Sequence, residues 1–224
     1  MKIVNFRSFL IFAIVFFGYS PFCLSTASGE DIVVKPEGEY AQIDVKTSNE
    51  AAITLFFSND ALIKKSVARL VEENLDTYNP CALLGLAAYY IDEEDIEKAA
   101  LYYRFAMFRA KVDLELAQDY SLGDVLSILH GRMQEHFKTS NFYKTNGLAP
   151  YKKALITATP LIIAMDKRIP RNYDYRWACL NSIKAFTGGP IAKLTEEQKN
   201  GIIEKERQNF IEASRKDGIV ISVE

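Results

Sequence analysis

Two periodicities divide the chain. Between residues 31 and 57, Ala41, Ile43 and Val45 alternate with Gln42 and Asp44, and short β-rich runs stand at 32–34 and 53–57. A two-residue alternation is the period of a half-buried strand. Residues 28–58 are therefore expected to form a small β-rich extension, punctuated by Pro36, Gly38 and Thr47-Ser48-Asn49. The run AAITLFF that closes it fits the opening of a helix equally well. Beyond residue 58 the period becomes helical. Ser58, Asn59 and Asp60 supply capping side chains, and Leu62, Val67, Leu70, Val71 and Leu75 form a stripe behind them.

Asn79 and Pro80 open the next helix, because asparagine caps free amides and proline fits a first turn. It runs to about Ile91. Glu93, Glu94 and Asp95 then make a turn and the acidic start of a second helix, which continues through Ala110 or beyond. Residues 112–137 keep a helical character with a break at 121–124. Residues 147–150 read as a connection, and Pro160 ends or kinks a helix inside the apolar stretch 151–165. Gly188-Gly189-Pro190 breaks the chain again. Thr195 and Gln198 have capping-box spacing at the head of a helix over 195–215, which Gly218 terminates. Residues 219–223 are a candidate terminal strand, suited to pairing with the N-terminal β-rich segment.

The pair of helices over 80–112 resembles a tetratricopeptide hairpin, with some of the flavour of the related Sel1-like repeats. Leu83, Leu86, Ala87 and Tyr90 fall on the conserved-type positions of the first helix, and Ala99, Tyr103 and Ala106 on those of the second. Leu83 stands where the family has a large aromatic, and Lys111 where it has a closing proline. The small residues let two backbones approach, and the aromatics fill the remaining space. The resemblance covers about one repeat, and no clean second copy follows at the same period. It implies a scaffold that binds protein segments.

The first 27 residues have the layout of a secretory leader. Lys2 and Arg7 precede the apolar run 9–18, and Ser25 and Ala27 stand at the small-residue positions of a cleavage site. The run is short for a spanning helix, which wants roughly 20 apolar residues. Phe22 ahead of Cys23 is too bulky for a lipid-modified cysteine. Cleavage after Ala27 removes two basic residues and moves the formal charge from −2 to −4. A mildly acidic chain offers no electrostatic reason for a nucleic-acid partner. The expected organisation is a leader at 1–27, the β-rich extension at 28–58 and an α-helical domain at 59–224. The fold class is mainly α, and the location is the periplasm or the extracellular space.

Catalytic motifs are sparse. His130 and His136 are six apart, so they face different sides of a helix and do not suit a shared ion. Glu93-Glu94-Asp95 lacks the spacing of a calcium loop. There is no phosphate-cradling glycine loop, no nucleophile elbow and no Rossmann fingerprint. No metal and no cofactor is expected. Cys81 and Cys179 read as small buried apolar residues, although an exported protein could join them. The strongest surface candidate is Arg171, Tyr173, Tyr175, Arg176 and Trp177, because these residue types anchor protein interfaces. The competing reading puts Trp177 and the tyrosines in the core, with arginine stems covering them. The function expected is non-catalytic binding of a protein partner. Its narrower form is an immunity-type inhibitor of a toxin. A hydrolase with a dispersed site and a component of an envelope assembly are the alternatives.

Overall fold

The structure, a computed structural model, describes residues 22–25, 31–34, 36 and 38–221. The rest of the expected leader, including its cleavage site at Ala27, lies outside the described residues. A short antiparallel ladder joins β1 (Phe22–Ser25) to β2 (Asp31–Val34). From residue 38 onward the described residues form ten α-helices and three 3-10 turns, with no strand.

The centre of the molecule is the hairpin of α3 (Pro80–Asp92) and α4 (Ile96–Ala117). Asn79 caps α3, its side chain accepting from the amides of Cys81 and Ala82, with Pro80 in the first turn. Asp95 caps α4, and Glu94 turns the chain at φ 60°. Every residue from Pro80 to Ile91 is buried. A helix apolar on all sides belongs inside a protein, and its neighbours must cover each face. Here α1 (Lys46–Phe57) and α2 (Ala61–Glu73) pack on one side, and α4, α5 (Val125–Thr139) and α6 (Asn141–Asn146) complete the enclosure. The long α4 in turn carries α7 (Ala149–Ala158), α8 (Leu161–Arg168) and α10 (Glu196–Lys216), the last preceded by the short α9 (Ile183–Thr187).

Helices α1 and α3 approach closely at Gly85. A Cβ on Gly85 would lie 3.1 Å from Ala52 Cα and 3.1 Å from Leu55 Cβ. Gly85 thus trades helix propensity for proximity. Replacing it by valine pushes two branches into backbone that has no room to yield. Gly85→Val is expected to cost about 2–3 kcal/mol in urea denaturation. Wild-type stability in that variant would mean that α1 is free to move away from α3.

A polar clasp holds α2 to the hairpin. Tyr90 and Tyr102 stack with centroids 5.6 Å apart, and both hydroxyls donate to Glu72 at 2.6 Å. Lys98 Nζ reaches the same carboxylate at 3.0 Å.

The β-rich extension is corrected within the described residues. Residues 38–42 form a 3-10 turn (Gly38–Gln42), and 46–57 are α1. The buried positions Ser48, Ala51, Ala52 and Leu55 recur at helical spacing, which the strand reading of 53–57 missed by starting too late. Tyr40, Ile43 and Val45 are buried while Ala41 is exposed, so the alternation fails at its first position. The terminal strand is corrected as well. Residues 219–221 hold no ladder, and 222–223 lie outside the described residues. Gly218, at φ 78°, closes α10 while Ile219 N donates back to Ser214 O at 2.9 Å. The α2 stripe is only half used: Ala68 and Val71 face the core, whereas Leu62 and Leu70 face outward. The remaining breaks fall where expected. A 3-10 turn (Tyr120–Leu122) precedes α5, Pro160 separates α7 from α8, and Thr195 and Gln198 close a reciprocal capping box on α10.

Candidate functional site

The segment after α8 is laid across the body by backbone chemistry. Pro170 disfavours a helical residue before it, and Ile169 is extended at φ −101° and ψ 112°. Asn172 then docks on the connection between α2 and α3. Its amide donates to Asp76 O at 2.8 Å and its side chain to Asp76 Oδ2 at 2.7 Å. Arg109, fully buried on α4, donates to the carbonyls of Ile169, Pro170 and Leu75. Its guanidinium lies over the Phe105 ring, 4.5 Å from the centroid. One arginine therefore ties two loops to the central helix.

This placement turns much of the proposed surface inward. Trp177 is 3% exposed, and its indole donates to Asp113 Oδ2 at 2.8 Å. The Tyr173 hydroxyl donates to the same oxygen at 3.0 Å. Arg171 sits between two buried carboxylates: its Nη2 donates to Asp166 Oδ1 at 2.5 Å, and its Nε lies 3.7 Å from Asp113 Oδ1. From α10, Arg207 grips Asp166 Oδ2 through Nε at 2.9 Å and Nη2 at 2.8 Å. Three arginines and two aspartates thus lock α4, α8, α10 and the 169–177 segment together. Arg176 forms a fork with Asp174, at 2.9 and 2.7 Å, and remains partly exposed. Tyr175 is partly buried at the head of a 3-10 turn (Tyr175–Asn181), with Lys199 Nζ 5.4 Å from its ring centre.

The electrostatics follow from burial. Desolvation pushes the Asp113 carboxyl up to about 7, against the opposing pull of Arg171, Trp177 and Tyr173. Burial also raises Tyr173 well above the usual phenol range and pulls Arg109 below its ordinary value. The Nε atoms of Arg109 and Arg171, and Asp113 Oδ1, are buried without a hydrogen bond. Sequence reasoning named Arg171, Tyr173 and Trp177 but not Arg109, Asp113, Asp166 or Arg207. The available signal was Arg109 and Asp113 four apart in a helix whose neighbours are apolar, a spacing that puts both on one face.

The thiols and histidines do not meet. Cys81 and Cys179 are free and buried. Burial raises both thiols, Cys179 to about 11, so the thiolate is disfavoured. His130 Nδ1 is 2.5 Å from the Tyr103 hydroxyl, and His136 Nε2 is 2.9 Å from Asp92 Oδ1. Among the described residues no cluster of three or more His, Cys, Asp or Glu side chains is arranged to hold a metal.

Two openings flank the network. One, of about 300 Å³, lies where Asn172, Tyr173 and Asp174 face Ser48 and Asn79 at the starts of α1 and α3. The other, also about 300 Å³, runs between α4 and α10. Met107, Phe108 and Phe210 make its apolar floor, with Arg104 and Lys111 along the α4 wall. Phe108 and Phe210 meet edge to face, 5.2 Å between centroids. Arg104 Nε is buried with no hydrogen-bond partner, so the wall carries an unused donor. No protein-family model matches this chain, and no match was found among curated proteins or solved structures.

Proposed function

We propose that this protein is a non-catalytic, protein-binding helical scaffold that acts outside the cytoplasm. The observation that carries the reading is the groove between α4 and α10. The second helix of the hairpin supplies one wall, with Arg104, Met107, Phe108 and Lys111, and α10 supplies Phe210 and Asn209 opposite. An apolar floor bordered by Arg104 and by Lys111, itself paired with Glu115, with Glu206 and Asn209 opposite, suits a partner segment with apolar anchors and a mixed polar rim, the way a helix is held in a preformed groove. Arg176, partly exposed and forked on Asp174, and the partly buried Tyr175 extend the candidate surface.

Helix spacing supports the tetratricopeptide-like reading. The hairpins α1–α2 and α3–α4 begin at Lys46 and Pro80, 34 positions apart, which is the length of a tetratricopeptide unit. On this reading α1–α2 is a degenerate first unit stacked on the hairpin. The layout of the first 27 residues supports export. An inhibitor of a toxin in the same compartment remains the narrower form of the proposal.

The test is affinity capture from the native envelope fraction, followed by titration of the captured partner. A Lys111→Glu, Phe210→Ser protein is expected to bind that partner at least tenfold more weakly than the wild type, with unchanged helical circular dichroism. An unchanged Kd would remove the groove from the mechanism.

A further inference from the structure

Pro160 divides α7 from α8 within right-handed helical backbone. Thr159 and Pro160 both keep right-handed helical dihedrals, with φ −53° and −60°. Residues 149–168 are therefore two successive helices joined through helical backbone at Pro160, each with an exposed side. Exposed positions run along both helices: Lys152, Lys153, Ile156 and Thr157 on α7, and Leu161, Ala164, Lys167 and Arg168 on α8. Tyr151, Ala158, Ile162, Ile163 and Asp166 fill the opposite side and are buried.

The outer face has one sign of charge. No aspartate or glutamate occurs between Glu135 and Asp166, whereas Lys138, Lys144, Lys152 and Lys153 do. Asp166 itself is buried and occupied by arginines. Lys152, Lys153 and Arg168 form no ion pair among the described residues, and Glu204 of α10 is within electrostatic reach of Lys167. Set among these cations are large apolar side chains with no cover: Ile156 is 55% exposed, Leu161 52% and Leu148, just ahead of α7, 42%.

We infer that this face docks on an anionic lipid surface. Lysines flanking exposed aliphatic side chains on one helix face are the layout of a helix lying in the membrane interface. A uniformly basic face matches a uniformly anionic lipid surface, whereas folded partners present mixed charge in fixed places. A helix face is convex, so lipid conforms to it while a protein would have to bring a matching groove. The apolar residues are aliphatic, and single-stranded nucleic acid is held mainly by stacking on aromatics. None of the described helices is long and apolar enough to cross a membrane, so the contact is peripheral. The protein would thereby hold its α4–α10 groove close to the membrane.

The experiment is co-sedimentation of the full chain with vesicles of phosphatidylglycerol and phosphatidylcholine, and with vesicles of phosphatidylcholine alone, at about 0.1 M salt. The wild type is expected to bind the anionic vesicles at least tenfold more tightly. A Lys152→Glu, Lys153→Glu protein should lose roughly twentyfold or more, since each basic residue near such a surface contributes about fivefold. Ile156→Ser with Leu161→Ser should lose severalfold. Lys65→Glu with Lys205→Glu, the same charge change elsewhere on the surface, should stay within twofold of wild type. The three variants and the wild type share residues 1–37, so any contribution from that region is common to every comparison. Thermal melts confirm that the substitutions leave the fold intact. Equal binding to both vesicle types, or wild-type binding by either stripe variant, overturns the inference. So does binding of poly-glutamate or an RNA oligonucleotide through the same lysines without vesicle binding, because the face would then read a different polyanion.

Discussion

Asp166→Ala is expected to lower stability by about 3–5 kcal/mol, because it leaves buried arginines without their carboxylate. Asp166 is fully buried at its side chain and accepts from Arg171 and, through two nitrogens, from Arg207. Arg109 lies 3.7 Å away and gains Coulombic support from it. Removing the carboxylate leaves Asp113 as the remaining acid beside Arg171 and the buried Arg109, while Arg207 keeps Glu204 at 3.4 Å. The cost is that of unpaired buried charge, not the modest net worth of an ion pair. With a urea dependence of about 2 kcal/mol per molar, the midpoint should fall by about 2 M. Arg207→Ala should cost much less, since Arg207 is partly exposed and Asp166 keeps Arg171. Where Asp166→Ala is too unstable to purify, Asp166→Asn preserves shape and one acceptor and should fall between the two. A loss below 1 kcal/mol for Asp166→Ala would show that this network does not clamp α8 and α10 to α4.

The second large effect is a pH dependence centred on Asp113. Its folded carboxyl, pushed up to about 7 by burial, holds a proton that the unfolded chain releases near the ordinary value of 3.8. Between those values the folded state binds more protons than the unfolded state, so stability falls as pH rises. The contribution is fully present below about pH 4 and is lost as pH rises through 7. Between pH 4.5 and 8 the loss amounts to about 3 kcal/mol. Asp92 and Glu72, whose carboxyls are held below their ordinary values, act with the opposite sign and in the more acid range. The comparison is therefore wild type against Asp113→Asn across pH 4.5–8. The difference between the two should change by about 3 kcal/mol, with the wild type losing ground as pH rises. A difference that stays constant would place the Asp113 carboxyl outside this window. Trp177 and Tyr173 both donate to Oδ2, so the asparagine oxygen can occupy that place while its amide faces Arg171.

Both predictions concern aspartates that sequence reading passed over, whereas other parts of the fold were plain in it. The α3–α4 hairpin was legible because its signals are local. An asparagine before a proline, an all-apolar turn sequence and an acidic start each act within a few residues. The capping box at Thr195 and the break at Pro160 were legible for the same reason. The 38–57 region was misread because five alternating positions satisfy more than one period, and the true helical stripe began at Ser48, inside the supposed turn. The exposure of Leu62 and Leu70 was invisible too, since a helical stripe announces an apolar face without saying what covers it.

The 171–177 segment shows the same limit in chemistry. Arginine, tyrosine and tryptophan serve interfaces and buried networks alike, and the choice rests on partners far along the chain. Trp177 meets Asp113 across 64 positions, and Arg207 meets Asp166 across 41. By itself the sequence determined where most helices start and stop and which residue types were available for recognition. Only the tertiary structure decided that Arg171, Tyr173 and Trp177 face Asp113 and Asp166, that Met107 and Phe108 are left lining a groove, and that the lysines of α7 stand unpaired on an outer face. Local capping and periodicity act over one or two helical turns, whereas burial and charge pairing depend on which distant helix packs on which.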